Sequence, residues 1–198
     1  MAIKLNGVTK NNGGTVRYNS TKFPKLVRFN GSEVWKAETP ILSEGTYASG
    51  YSGTYRGNLN GNTGYNPFSY TAGSGIKYDG GLASGNTRAG NVYINQTINA
   101  SNYSSITFKF STSGAAWSGP DSTFSSGRFI QFGLASATGS ATTAPTFTAS
   151  KKINSGSTIS ASYTIDISGQ TGNKYIAIWT SLANSAYSPY TITDIILT

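Results

Sequence analysis

Ser105-Ile-Thr-Phe-Lys-Phe-Ser111 is the stretch whose reading decides the fold. Ile106, Phe108 and Phe110 alternate with Thr107, Lys109 and Ser111, so an extended chain turns one row inward and the other to solvent. Upstream, over 92–98, Val92, Ile94 and Ile98 alternate with Tyr93, Asn95 and Thr97. Downstream, strand text recurs at 128–134, 157–165, 174–180 and 190–197, each stretch bounded by Gly, Ser, Asn or Pro. Period-two alternation at this spacing predicts an all-β chain folded as an antiparallel two-sheet β-sandwich, with one face of each sheet wet. No apolar stripe of 3.6-residue period competes with it.

Working outward, residues 47–90 are rich in Gly, Asn, Ser and Tyr and poor in aliphatics, and read as long loops around short strands. The tyrosines at 47, 51, 55, 65, 70 and 78 lack regular spacing, which suits loop packing or a protein–protein contact better than a binding platform. Thr39-Pro40 breaks the strand pattern, and 40–46 reads as a linker. Before it, Ile3-Lys-Leu-Asn-Gly7 is echoed by Val27-Arg-Phe-Asn-Gly31. Asn-Gly between alternating residues favours a type I′ turn, because both turn positions need positive φ. Strands 25–29 and 32–36 are therefore expected to form a tight hairpin whose buried face carries Phe29 and Trp35. The expected organisation is a small basic β module over 1–40, serving docking or assembly, followed by a sandwich over 45–198.

Composition narrows the chemistry. The chain of 198 residues contains no histidine and no cysteine. This excludes every Ser-His-Asp arrangement, cysteine nucleophiles, disulfides and zinc sites built on His or Cys. A glycosidase would need two carboxyl groups roughly 5–10 Å apart, and beyond Glu44 the sandwich offers only Asp79, Asp121, Asp166 and Asp194. The expectation is a binding or structural protein rather than an enzyme. Gly80-Gly-Leu-Ala-Ser-Gly85 lacks the lysine that a phosphate loop requires.

The formal net charge is +8. It divides evenly: residues 1–44 hold seven Lys or Arg against Glu33, Glu38 and Glu44, and 45–198 hold eight against four Asp. Along the sequence the excess is diffuse, with no cluster beyond Lys151-Lys152, which argues against nucleic acid as the partner. A weak attraction to anionic surfaces, such as a bacterial wall, remains. No apolar run approaches the roughly 18 residues of a membrane span. The opening Met-Ala-Ile-Lys-Leu-Asn-Gly carries no long apolar stretch. The expectation is synthesis in a bacterial cytoplasm without a signal peptide.

Two segments carry a resemblance. Lys25-Leu-Val-Arg-Phe-Asn-Gly-Ser-Glu-Val-Trp35 resembles short β modules of tail and other structural proteins from phages of Gram-positive bacteria. Residues 91–198 resemble the jelly-roll domains shared by carbohydrate-binding modules and phage receptor-binding or accessory proteins. The carriers are Ile98-Asn-Ala-Ser-Asn-Tyr-Ser-Ser-Ile-Thr-Phe108, Tyr163-Thr-Ile-Asp-Ile-Ser-Gly169, Lys174-Tyr-Ile-Ala-Ile-Trp179 and Thr191-Ile-Thr-Asp-Ile-Ile-Leu197. The resemblance implies a phage or prophage virion protein with a jelly-roll-like sandwich, whose partners are other virion proteins or copies of itself. It implies no particular ligand.

Glycan binding needs flat aromatic faces for sugar C–H groups and amides or carboxylates for hydroxyls. Trp117, in Gly114-Ala-Ala-Trp-Ser-Gly-Pro120, either plugs a sandwich end or is exposed. Trp179 stands on the face opposite Ile176 and Ile178; that face is either a binding surface or buried in its turn. Tyr187 and Tyr190 flank Ser188-Pro189 and would line the same rim. No cofactor is expected, but calcium is the one metal worth naming, since jelly rolls often hold a structural ion, with Asp166 and Asp194 as donors. The plainer reading has Asp166 opening a turn toward Ser168-Gly169 and Asp194 facing solvent. Two functions follow: a virion accessory protein that binds host-surface carbohydrate, or a purely structural head-decoration, head-fibre or baseplate component with no small ligand.

Overall fold

The computed structural model describes residues 3–5, 8–10, 16–18, 26–29, 32–36, 38–59, 66–79, 87–112, 129–154, 159–183 and 189–198. Side chains are described within 38–57, 66–79, 89–111, 129–153, 159–180 and 189–198. The chain divides into Met1–Glu38 and Thr39–Thr198.

In the first unit β1 (Ile3–Leu5), β2 (Val8–Lys10) and β3 (Val16–Tyr18) form a three-stranded antiparallel sheet. β4 (Leu26–Phe29) and β5 (Ser32–Lys36) form a separate hairpin. Both echoed segments thus pair around their Asn-Gly, with Leu5 opposite Val8 and Phe29 opposite Ser32. In the second, Val27 faces Trp35 while Arg28 faces Glu33, so Val34 is an extra residue that bulges β5. Asn6-Gly7 and Asn30-Gly31, and the side chains of Phe29 and Trp35, lie outside the described residues.

The second unit is an all-β sandwich of two antiparallel sheets. One sheet runs β16 (Ser162–Asp166), β13 (Ser105–Thr112), β18 (Tyr190–Leu197), β10 (Gly75–Tyr78), β9 (Phe68–Thr71), with β6 (Thr39–Ser43) also on β18 and β7 (Thr46–Tyr47) on β6. The other runs β15 (Thr146–Asn154), β14 (Phe129–Ala137), β17 (Asn173–Ala183), β11 (Thr87–Ile94), β8 (Gly53–Leu59), with β12 (Ile98–Asn99) also on β17. Alternation produces the core as expected. Ile106, Phe108 and Phe110 are buried from one sheet, and Val92, Ile94, Ile130, Phe132, Ile176 and Ile178 from the other. Phe132 packs its ring 4.8 Å from Phe108 and 5.2 Å from Phe110, tying the sheets together.

Three expectations need correction. Residues 40–46 are no linker: β6 pairs with β18 through Leu42–Ile195 and Pro40–Ile196, and Ile41 and Leu42 are fully buried. Proline is tolerated there because a sheet-edge position leaves no ladder bond for it to miss. Glu44 and Gly45, both at positive φ, then close a two-residue hairpin between Ser43 and Thr46. Second, β15 escaped the reading because Thr146-Phe-Thr-Ala-Ser-Lys-Lys is half-exposed or exposed throughout and shows no apolar row. Third, the strand expected over 157–165 begins only at Ser162.

The tyrosine-rich stretch is packing material. Tyr47, Tyr51, Tyr55 and Tyr70 lie partly buried against the core, and Tyr78 is fully buried within it. The Tyr47 and Tyr55 hydroxyls are 2.6 Å apart, and the Tyr47 and Tyr70 rings 4.6 Å apart. Burial raises the Tyr47 phenol far above its usual 10.0 and pushes Tyr55 up to about 12. The folded chain therefore holds these protons more tightly than the unfolded chain does. Stability conferred by this cluster is complete below about pH 10 and falls as pH rises toward 12. Urea denaturation midpoints measured between pH 8 and 12 should decline mainly above pH 10, and Tyr47→Phe should lessen that decline. A midpoint flat across the range would contradict the buried pair.

Candidate functional site

The core-facing rows of the six-stranded sheet are aliphatic and aromatic apart from buried Thr180; the opposite rows are of another character. Directly paired residues on adjacent antiparallel strands share a face. Arg56 on β8 pairs with Asn91 on β11, Asn91 with Trp179 on β17, Trp179 with Gln131 on β14, and Gln131 with Lys152 on β15. One rung across five strands thus reads cation, amide, indole, amide, cation. At a strand spacing of about 4.8 Å it spans roughly 19 Å between backbones. The next rung reads Thr54, Tyr93, Ala177, Gly133, Ser150. Beyond that, Tyr175 stands opposite Ala135. Ala177, Gly133 and Ala135 form a low strip, itself buried, flanked by Trp179 and by Tyr93 and Tyr175, whose rings meet edge to face at 6.1 Å.

Hydrogen bonds organise this face. Gln131 Nε2 donates to Ser150 Oγ at 2.8 Å. The Arg56 guanidinium lies 5.0 Å from the Tyr93 ring centroid and donates to the Tyr93 hydroxyl at 3.0 Å. Arg56 also donates to the Gly139 carbonyl at 2.7 Å, and Asn91 Nδ2 donates to the Thr138 carbonyl. The segment following β14 therefore turns back over the face as a strap. Within it, Ser140 Oγ accepts from the backbone N–H groups of Thr142 and Thr143. Asn91 is fully buried, yet its Oδ1 has no hydrogen-bond partner among the described residues. An orphaned buried acceptor costs about 1–3 kcal/mol, and it is the kind of cost that an arriving hydroxyl donor removes.

The residues singled out from the sequence fare unequally. Trp179 does stand on the face opposite Ile176 and Ile178, and it lies outside the main core cluster. It is, however, only 5% exposed, so it is a floor beneath this face rather than an open stacking platform. Tyr190 is not a rim residue. It is 1% exposed, stacks on Tyr78 at 5.1 Å and shares a 2.6 Å hydrogen bond with buried Thr180 in the layer between the sheets. The reason is register: Tyr190 is the first inward position of β18, continuing the row of Ile192. Trp117 and Tyr187 lie outside the described residues.

The calcium expectation is corrected by topology. Asp166 pairs with Ser105 and Asp194 with Lys109, so they sit four positions apart along β13 and on opposite sides of it. A rise of about 3.3 Å per residue alone separates them by roughly 13 Å, too far to share one ion. Each carboxylate is also engaged. Asp166 Oδ1 accepts from Ser168 N–H at 2.9 Å and Ser168 Oγ at 2.7 Å, which lowers its pKa and makes it the turn residue of the plainer reading. Asp194 Oδ1 accepts from Glu44 N–H at 3.3 Å, holding the β6–β7 turn, and Oδ2 accepts from Thr193 Oγ1 at 2.8 Å. Among the described residues no group of three His, Cys, Asp or Glu could hold a metal. Among them too, no helix is long and apolar enough to cross a membrane.

Sequence reasoning missed Arg56, Tyr93, Asn91, Gln131 and Lys152. The only local signal was the polar row of 91–95, where Asn91 and Tyr93 alternate with Val92 and Ile94.

No protein-family model matches the chain, and no curated protein sequence matches it. Among solved structures, a xylan-binding module CBM15 is similar at 14% identity and a TM-score of 0.38, over 75% of this chain and 95% of that one. A mutant Xylanase10C from Cellvibrio japonicus in complex with xylopentaose is similar at 14% identity and a TM-score of 0.34, over 72% of this chain and 26% of that one. What either binds is a property of that protein.

Proposed function

We propose that the sandwich is a non-catalytic carbohydrate-binding domain whose site is the outer face of the six-stranded sheet. The observation that carries the reading is the rung Arg56–Asn91–Trp179–Gln131–Lys152. Amides on both sides of an indole supply donors and acceptors for hydroxyls beside an apolar floor, the pairing that sugar rings need. Tyr93, Tyr175 and Gln131 are half-buried, and they present the accessible part of that surface. Two strap carbonyls accept from Arg56 and from Asn91 Nδ2, and incoming hydroxyls would exchange with those carbonyls while donating to the open Asn91 Oδ1.

The fuller reading gives the domain to a phage virion, attached through the N-terminal hairpins to other virion proteins or to copies of itself, with a bacterial surface glycan as its target. What supports it is the resemblance of 25–35 and 91–198 described above. A second reading, a purely structural virion component without a ligand, is favoured by the burial of Trp179 and Tyr190.

The two readings part in a binding assay on a panel of immobilised polysaccharides. The carbohydrate reading expects saturable binding to some members, weakened about five-fold by Gln131→Ala, which removes one hydrogen-bonding group worth about 1 kcal/mol. Failure of the wild-type chain to bind any member would favour the structural reading.

A further inference from the structure

The charge that is diffuse along the sequence is segregated by the fold. The strands of the six-stranded sheet contain Arg56, Arg88, Lys151, Lys152 and Lys174 and no Asp or Glu. The seven-stranded sheet contains Lys77 and Lys109 against Asp166 and Asp194, with Glu44 in its β6–β7 turn and Asp79 directly after β10. Every described carboxylate of the sandwich thus belongs to one sheet, and most of its described cations to the other.

The cations of the basic sheet that share the outer face are Arg56 and Lys152, at the two ends of the central rung. Lys152 is exposed, and its Nζ lies 3.7 Å from the Phe129 ring centroid, which orients the ammonium without neutralising it. Lys151, its neighbour on the edge strand β15, is exposed as well. Neutral sugars are commonly held by carboxylates that accept from their hydroxyls; among the described residues this face offers amides, hydroxyls, aromatic rings and cations, and no carboxylate. A field of one sign, with no carboxylate on the strands of this sheet to oppose it, raises the local concentration of anions and repels cations.

We infer that the outer face of the six-stranded sheet selects anionic polysaccharides, chains bearing carboxylate or phosphate groups, over neutral ones. This rests on the carbohydrate reading above and names the class of glycan. Lys152 meets the anionic substituents at one end of the rung, and the amides and aromatic rings read the sugar between. Long polyanions without sugar selectivity, single-stranded DNA among them, would need charge tracked along a path; here the cations of the face stand at its two ends with uncharged groups between.

The test uses the full chain on polygalacturonate and on the same polymer fully methyl-esterified. A poly(glycerol phosphate) chain, a neutral xylan and single-stranded DNA complete the set. The expected result is binding to at least one anionic polymer, about ten-fold or more tighter than to the methyl ester and the xylan, and weakening as salt shortens the screening length to about 8 Å at physiological ionic strength. Preference for the uronate or for the phosphate polymer distinguishes the two anionic groups. Lys152→Glu should weaken binding about five- to ten-fold, from the loss and reversal of one exposed charge contact. Lys77→Glu makes the same change in net charge on the opposite sheet and should leave affinity unchanged. Equal affinity for the ester and the uronate would overturn the inference while leaving sugar binding standing. Equal effects of the two lysine variants, or DNA bound as tightly as the best polysaccharide, would reduce it to unselective charge attraction and overturn it. Absence of binding to every polymer here and in the wider panel would remove the carbohydrate reading itself.

Discussion

Gly133→Ala is expected to lower the melting temperature by about 5–15 °C, a loss of about 2–5 kcal/mol in a domain of this size. Gly133 lies at φ +150 in the middle of β14, and a Cβ there would stand 2.1 Å from the Ala149 carbonyl oxygen and 2.7 Å from Ser150 Cα. Both obstacles are backbone of the paired strand β15, so no side-chain rotation relieves them. The strand would have to separate from β15, or shift its register, where it is already irregular between Leu134 and Ala137. Gly172→Ala is the matched control: φ there is +69 with nothing within 4 Å of the added carbon, so only conformational strain of about 1–2 kcal/mol is incurred. Thermal melts of the two variants separate strain from collision. Should they melt together, the close approach of β15 to Gly133 is wrong, and with it the low strip beside Trp179.

How far the sequence reveals this fold depends on how local each signal is. The strand at 105–112 is legible because Ile106, Phe108 and Phe110 alternate with polar residues, and that at 190–197 because it is rich in large apolar residues, although its buried row changes phase between Ile192 and Ile195 at a bulge. β15 is illegible because it is an edge strand with few buried side chains. β6 is illegible because Pro40 imitates a break, and only its place at a sheet edge makes the proline harmless. Tyr190 misleads in the opposite way. Its neighbours Ser188 and Pro189 read as loop, so the tyrosine is taken for a rim residue although it opens a core row.

The candidate site is harder still, because it exists only across strands. Residues 56, 91, 131, 152 and 179 become one row through four separate pairings. A one-residue slip in any of them would turn one member to the core and dissolve the row. The sequence reveals only which face single residues take: Trp179, since Ile176 and Ile178 claim the other, and Asn91 and Tyr93, which alternate with Val92 and Ile94. The charge asymmetry has the same origin. Lys151 and Lys152 look like an isolated pair until pairing sets Lys152 on the same face as Arg56, nearly a hundred positions earlier.

Trp179→Ala should cost about 3–5 kcal/mol of stability, as much as truncating an aromatic residue of the inter-sheet core, although Trp179 is not part of that core. The indole is 5% exposed beneath the outer face, with Asn91 and Gln131 on either side, and alanine leaves a void that neighbouring Ala177 and Gly133 are too small to fill. Because the alanine variant confounds folding with binding, Trp179→Phe is the informative companion. It should keep most of the stability and still lose about three- to ten-fold in affinity for whichever polysaccharide binds, since a smaller ring beneath the face holds Asn91 and Gln131 less firmly in place, and a hydrogen bond misplaced is worth about 0.5–1.5 kcal/mol. Chemical denaturation gives the first quantity and binding isotherms the second. An alanine variant as stable as wild type would show that nothing packs over the indole. A phenylalanine variant that binds like wild type would confine Trp179 to a structural role, leaving Asn91, Gln131, Tyr93 and Tyr175 to account for recognition.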